Sequence, residues 1–167
     1  MEHTPSAALQ EQVNSAEDAL KAALVRAAQA CKAGFEEKER LLEVTGPLKS
    51  ADEAALPTTG EDDEVYCRMD RETYYHLIAW TNAEQAAFAN AEVELLEAKL
   101  QHLHLTALVQ SDLTTEERAR LSGVLESAQL RITQLWVITK ERQEQISCVQ
   151  EILRGARRTR VEVDRSE

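Results

Sequence analysis

Apolar residues recur along the first part of the chain with the period of an α-helix. They are separated by alternating steps of four and three residues, which keeps them on one helical face. Thr4 and Pro5 suit a helix start, as N-cap and first helical residue, and Gly46-Pro47 suits its end. The pattern predicts a first helix over residues 5–44. Its alanine-rich stripe consists of Leu9, Val13, Ala16, Leu20, Ala23, Ala27 and Ala30.

A second apolar pattern follows a predicted linker over residues 46–60, which holds two of the three prolines. The acidic run at residues 61–64 suits either a solvated loop or the first turn of a helix, where negative charge is favoured, and we prefer the helix. We therefore expect a second helix over residues 62–110. Its two adjacent stripes indicate that it lies between two neighbours in a bundle. One stripe is Ala87, Ala91, Leu95, Ala98, His102, Leu105 and Val109, and the other is Phe88, Leu96, Leu100, Leu103 and Ala107.

The third pattern is a heptad seam, in which apolar positions alternate in steps of four and three. Thr114 and Glu117 have the spacing of a capping box, so the helix is expected to begin at residue 115. Gly155 is expected to end it. The short break at residues 111–114 predicts an antiparallel hairpin with the second helix. The seam consists of Leu121, Leu125, Ala128, Ile132, Leu135, Thr139, Arg142, Ile146, Val149 and Leu153.

Two members of this seam, Thr139 and Arg142, are polar. A polar residue at a seam position can fix the register of packed helices at some cost in stability. Alternatively, the seam turns outward there and the arginine extends its charged end to solvent. The sequence leaves both interpretations open.

These patterns predict an all-α protein, an elongated three-helix bundle or antiparallel coiled-coil rod, because helices of about 60 Å do not fit a compact globule of this length. With 5 Gly, 3 Pro and 4 % aromatic residues, an all-β fold is disfavoured. The predicted organisation is an N-terminal helix at residues 1–45, a linker at 46–60, a helical hairpin at 61–157 and a charged tail at 158–167.

The net charge of −11 disfavours nucleic acid as a partner, because phosphate backbones are themselves negative. The basic exception is the run Arg154, Arg157, Arg158 and Arg160, which suits a solvated helix end. Salt-sensitive DNA binding through this run is the alternative. No apolar stretch is long enough to span a membrane, and the N-terminus lacks the features of a signal peptide. We expect an intracellular, cytoplasmic protein, with an upstream targeting segment left open.

No pattern predicts catalysis, a cofactor or a metal site. His102 and His104 are two residues apart, which points them to different sides of a helix, and no histidine follows a glutamate at the di-iron spacing. Cys31, Cys67 and Cys148 are widely separated, so we expect buried or half-buried thiols, with an intermolecular disulfide at Cys67 as the alternative. We therefore expect a protein that is not an enzyme. A catalytic role for His76 is the competing hypothesis.

The number of apolar faces suggests a protein partner. The three long helices have more apolar faces than a single three-helix bundle is expected to bury. An uncovered apolar stripe on a protein surface marks an interaction site. Symmetric self-association is common, so we expect a homodimer. The candidate interface residues are Val13, Ala16, Leu20, Ala23, Ala27 and Ala30 of the first helix, with Ile132, Leu135 and Ile146 of the third.

The order of helix, acidic run, long helix, short break and long helix resembles the Smac/DIABLO family. The local match is Glu61 to Val65, followed by an alanine-rich helix with Trp80 and Ala86-Ala87. The resemblance implies an elongated helical dimer of the mitochondrial intermembrane space that binds inhibitor-of-apoptosis proteins through a free N-terminal tetrapeptide. This chain begins Met1-Glu2-His3-Thr4 instead, so we expect either that a segment upstream of this sequence carries the tetrapeptide or that this protein does not use that binding mode. The alternative is a coiled-coil subunit of a cytoskeletal, kinetochore or vesicle-tethering complex.

Overall fold

The structure, a computed structural model, describes residues 6–45 and 71–164. Helix accounts for 95 % of these residues, and no strand occurs among them. The three helices are α1 (Ala7–Thr45), α2 (Arg71–Val109) and α3 (Thr115–Asp164). They pack against one another, which confirms the prediction of an all-α helical bundle. The linker and the acidic run lie outside the described residues.

Contacts divide the chain into two units, and each helix contributes a segment to both. The first unit combines Met1–Ala28 with Phe88–Glu141, and the second combines Gln29–Ala87 with Arg142–Glu167. The predicted division of the chain into an N-terminal helix, a linker, a hairpin and a tail stays a prediction.

The first unit has an apolar interior made by all three helices. α2 and α3 form the predicted hairpin there, since the break at residues 110–114 joins them and Arg131 of α3 reaches Glu94 of α2 at 3.9 Å. Apolar burial of this kind stabilises a fold by roughly 25 cal/mol per Å² removed from water. The buried apolar residues are Leu9, Val13, Ala23 and Ala27 of α1, Ala89, Val93 and Leu95 of α2, and Leu135 of α3, and Thr139 of α3 is buried with them.

The second unit has a more polar interior in its described part. Ile146 and Leu153 of α3 are its buried apolar side chains, and Thr81 of α2 is also buried. The Thr81 hydroxyl donates to the Leu77 carbonyl at 2.7 Å, which satisfies its buried donor. α1 approaches α2 closely at Gly34, where an added Cβ would lie 3.6 Å from the Asn82 carbonyl oxygen.

Side chains cap the starts of α1 and α3. At α3, the Glu117 backbone N–H donates to the Thr114 hydroxyl at 3.3 Å, and the Thr114 backbone N–H donates to the Glu117 carboxylate at 2.9 Å, so the predicted capping box is confirmed. The backbone N–H of Thr114, together with its hydroxyl, lowers the pKa of Glu117. At α1 the cap is Ser6, which accepts from the Leu9 N–H, rather than the predicted Thr4.

The end of α3 differs from the prediction. Gly155 does not stop the helix, which continues to Asp164 and includes part of the segment expected to be a tail. A single glycine inside a helix costs only about 1 kcal/mol relative to alanine. The residues that follow Gly155 include alanine and arginine, which favour helix, so the penalty at one position is not enough to end it.

Candidate protein-interaction surface

The predicted interface stripe on α1 faces the interior of its own chain. Val13, Ala23 and Ala27 are buried. The other three members, Ala16, Leu20 and Ala30, are half-buried. The periodicity therefore identified the inward side of α1.

The predicted interface residues on α3 are also directed inward. Leu135 and Ile146 are buried, and Ile132 is half-buried. The structure does not bring the nine predicted residues together in one unit, because Ala30 and Ile146 belong to the second unit and the others to the first. Their use as a surface for another chain stays a prediction, and any such use requires this interior to open.

Both predicted stripes of α2 are covered as well. Every member of the two series is buried or half-buried, which agrees with the prediction that this helix lies between two neighbours. The faces that suggested an external partner are therefore largely satisfied within the chain. The exposed apolar residues of the described chain lie elsewhere.

Five exposed large apolar residues lie on α3: Val124, Leu130, Trp136, Val137 and Ile138. Leu130 and Val137, seven residues apart, lie directly opposite the seam, and Ile138 lies beside them. Leu130 is 60 % exposed, Ile138 is 45 % exposed and Val137 is 41 % exposed. Together with three small or polar neighbours they form an uncharged surface that we call the outer face of α3. Its members are Gly123, Ser127, Leu130, Gln134, Val137 and Ile138, all within the first unit.

Sequence reasoning missed the outer face because it followed only the strongest periodic series on α3. A second series was present, since Gly123, Ser127, Leu130, Gln134 and Val137 step by four and three residues, as a coiled-coil seam does. Its glycine, serine and glutamine made it less conspicuous than the leucine-rich seam.

The outer face is bounded by opposite charges. Arg120 lies seven residues before Ser127, and Glu141 lies seven residues after Gln134, so all four share one position of the heptad. Arg120 and Glu141 are both exposed. The uncharged residues of the outer face thus lie between Arg120 and Glu141, and the exposed Glu116 lies four residues before Arg120, at the heptad position of Gly123.

The polar members of the inner seam are each satisfied by a partner. The buried Thr139 hydroxyl donates to the Leu135 carbonyl at 2.7 Å. In the second unit, the half-buried Arg142 guanidinium donates to the Glu84 carboxylate of α2 at 2.6 Å. Arg142 therefore pairs with the neighbouring helix instead of only extending to solvent, which favours the interpretation that it helps to set the packing register.

A shallow cleft of about 260 Å³ lies between α2 and α3 in the second unit. It is smaller than the usual small-molecule site of roughly 300–1,000 Å³. Its polar lining combines the amides of Asn82, Gln85 and Gln150 with Thr81 and Arg154. These groups can form hydrogen bonds with a ligand.

The remaining candidate groups are dispersed. His102 is half-buried and His104 exposed, so they face different environments. No group of three or more histidine, cysteine or acidic residues able to hold a metal occurs in the described part of the chain. Cys31 and Cys148 are exposed, so the prediction of buried or half-buried thiols is wrong for both, because each lies on an outward position of its helix. Cys67 lies outside the described residues.

The side chains of the basic run near the C-terminus are described only at Arg154. Arg154 lies 3.9 Å from Glu151 in an exposed ion pair, while the other arginine side chains of the basic run lie outside the described residues. Within residues 6–45 and 71–164, none of the helices has the length and apolarity required to cross a bilayer.

No protein-family model, no curated protein and no solved structure matches this chain significantly. The resemblance to Smac/DIABLO stays a prediction, and the Glu61–Val65 match lies outside the described residues. Function must therefore be argued from the chain's own surfaces.

Proposed function

We propose that this chain is a non-enzymatic protein-interaction module that binds its partner through the outer face of α3. The observation that supports this is the exposure of Leu130, Val137 and Ile138 on one side of one helix. Single exposed apolar residues are normal on protein surfaces, but Leu130 and Val137 lie two helical turns apart on the same side of α3, and grouped apolar exposure is typical of interaction sites.

The energetics of such a site follow from burial. Covering three large aliphatic side chains removes apolar area from water at roughly 25 cal/mol per Å², and part of that gain is lost to the entropy of association. The absence of charge from the outer face keeps the desolvation cost of binding low. The charged residues that surround it contribute to partner choice more than to affinity.

The proposal is tested with two matched variants. In the variant L130E/V137E, glutamate replaces two exposed apolar residues of the outer face without entering the interior. In the control V25E, glutamate replaces an α1 residue of the first unit that is 57 % exposed. Glutamate favours helix, so both variants should keep their helix content, which circular dichroism checks.

The readout is affinity capture from cell lysate with quantitative mass spectrometry. We expect wild type and V25E to recover the same proteins, and L130E/V137E to lose most of them. Equal recovery by all three folded proteins would contradict the proposal, since the outer face would then contribute nothing to binding.

A further inference from the structure

Resting on the proposed function, we infer that the partner of the outer face of α3 is a second copy of this chain, packed with its α3 antiparallel to the first. The outer face has the four-three spacing of a coiled-coil seam, so its natural partner is another helix with the same spacing. A self-complementary surface is also what a twofold-symmetric dimer requires. Two features of the surface favour this occupant.

The first feature is the distribution of side-chain size along the outer face. Gly123 and Ser127 are small and lie toward its N-terminal end, Leu130 lies near its middle, and Val137 is large and lies toward its C-terminal end. An antiparallel copy centred near residue 132 places Ser127 opposite Val137 of the second copy. Both symmetric layers of this kind combine a small residue with a large one, which fills space well.

The same arrangement places Leu130 opposite Gln134 of the second copy. The two methylene groups of the glutamine can cover the leucine, while its amide stays at the edge of the contact in water. The exposed leucine is thereby shielded without burying an unpaired polar group, which would be costly. The central layers of the antiparallel contact are therefore filled by residues of complementary character.

The second feature is the charge at the two ends. In the antiparallel arrangement, Arg120 of each copy lies within about one helical turn of Glu141 of the other, so the symmetric pair gains two favourable contacts. These charges are exposed, so each contact contributes little by itself and mainly selects orientation.

A parallel copy in register would match the first copy poorly in both charge and side-chain size. It sets Arg120 against Arg120 and Glu141 against Glu141, and like charges at facing positions are destabilising. It also sets Gly123 against Gly123 and Ser127 against Ser127, which leaves those layers underfilled. Size and charge therefore select the same orientation.

The net charge of −11 disfavours a contact between two copies through their acidic surfaces. Two copies repel each other over distances comparable to the Debye length, about 8 Å at physiological salt. A contact through an uncharged face avoids bringing acidic side chains together. We therefore expect the affinity to rise when moderate salt screens the overall repulsion.

The test uses charge reversal in the full chain, with mass measured by light scattering and sedimentation velocity across micromolar concentrations. We expect wild type to reach twice the 18.7 kDa chain mass. The single variants R120E and E141R should each weaken the dimer about tenfold, because attraction becomes repulsion at both symmetric contacts. The double variant R120E/E141R should restore most of the affinity.

The controls separate this inference from the proposed function. L130E/V137E should be a monomer, and V25E should dimerise like wild type. Single reversals without effect, or a double variant that is not restored, would overturn the antiparallel arrangement. A wild type that stays a monomer at about 100 µM, where a dimer of even micromolar affinity would form, overturns self-association altogether. The lysate capture then decides separately whether the outer face binds a different protein. The loss of captured proteins by L130E/V137E can be measured whether or not the chain forms a dimer.

Discussion

The first and second units use segments of the same three helices but fill their interiors differently. The described interior of the first unit is alanine, valine and leucine, apart from the buried Thr139. In the second unit, the described interior combines Ile146 and Leu153 with Thr81, an Arg142–Glu84 ion pair and an amide-lined cleft. One set of helices therefore supports two kinds of packing.

This difference suggests that the two units contribute differently to the stability of the fold and to the register in which the helices pack. Apolar burial is nondirectional, so it stabilises the first unit without strongly selecting one rotation or register of its helices. An arginine–carboxylate contact has a defined geometry, and a displaced helix would leave both charges unpaired. We expect the first unit to hold most of the stability, and the second to contribute more to the choice of register.

The largest expected effect is at the most enclosed position of the first unit. Ala23 is 1 % exposed, so A23E forces a carboxylate into an apolar interior, and we expect a loss of more than about 3 kcal/mol. The matched control A28E changes an exposed residue of α1 and should shift stability by less than about 0.5 kcal/mol. Chemical denaturation followed by circular dichroism measures both. Equal stability of the two variants would mean that Ala23 is not enclosed.

A second prediction compares one leucine from each unit. L135A in the first unit should cost about 3–4 kcal/mol, because the removed volume leaves a cavity among packed aliphatic side chains. L153A in the second unit should cost about 2 kcal/mol, because Leu153 borders the cleft, where solvent can occupy the space. Urea titration of each variant gives these values. A larger loss for L153A would reverse the proposed ranking of the units.

A third prediction compares the two ion pairs between α2 and α3. The Arg142–Glu84 pair, at 2.6 Å and partly buried, should show a coupling energy of about 1 kcal/mol in a double-mutant cycle with E84Q and R142M. The Arg131–Glu94 pair, at 3.9 Å and mostly exposed, should show almost none with E94Q and R131M. Similar coupling in both cycles would contradict the assignment of register to the second unit.

The smallest expected effect concerns pH and the capping box of the first unit. The pKa of Glu117 is lowered by its hydrogen bonds from Thr114, so its stabilising contribution is present above the ordinary glutamate pKa. That contribution is lost as the pH falls below about 4.5 and through the lowered pKa. The acid branch of a thermal-stability profile should therefore be less steep in E117Q than in wild type. Identical profiles would show that protonation of the Glu117 carboxylate does not change the stability of the fold.

Much of the fold could be predicted because its signals are local or periodic. The Thr114–Glu117 cap depends on residues three apart, and the seam from Leu121 to Leu153 repeats every seven residues. A period identifies a stripe, however, and does not say whether the stripe meets the same chain or another. The predicted interface residues of α1 and α3 are buried or half-buried within the chain, because the stripes of the three helices cover one another.

The outer face of α3 and the polar packing of the second unit could not be predicted in the same way. Leu130 and Val137 are exposed because of where α1 and α2 lie, which depends on contacts distant in sequence. The Arg142–Glu84 pair joins residues 58 positions apart. A local signal can also mislead. Gly155 was predicted to end α3, but a glycine costs a helix only about 1 kcal/mol, which is too little to end one that its neighbours favour.

The continuity of the helices through both units has a kinetic consequence. Starting a helix is its unfavourable step, whereas adding residues to an existing helix is rapid. If the second unit opens while the first stays folded, the helical segments of the first remain as templates from which the second can reform without new nucleation. Opening of the second unit should thus be frequent and brief, and slow unfolding should begin only when the alanine-rich interior around Ala23 separates.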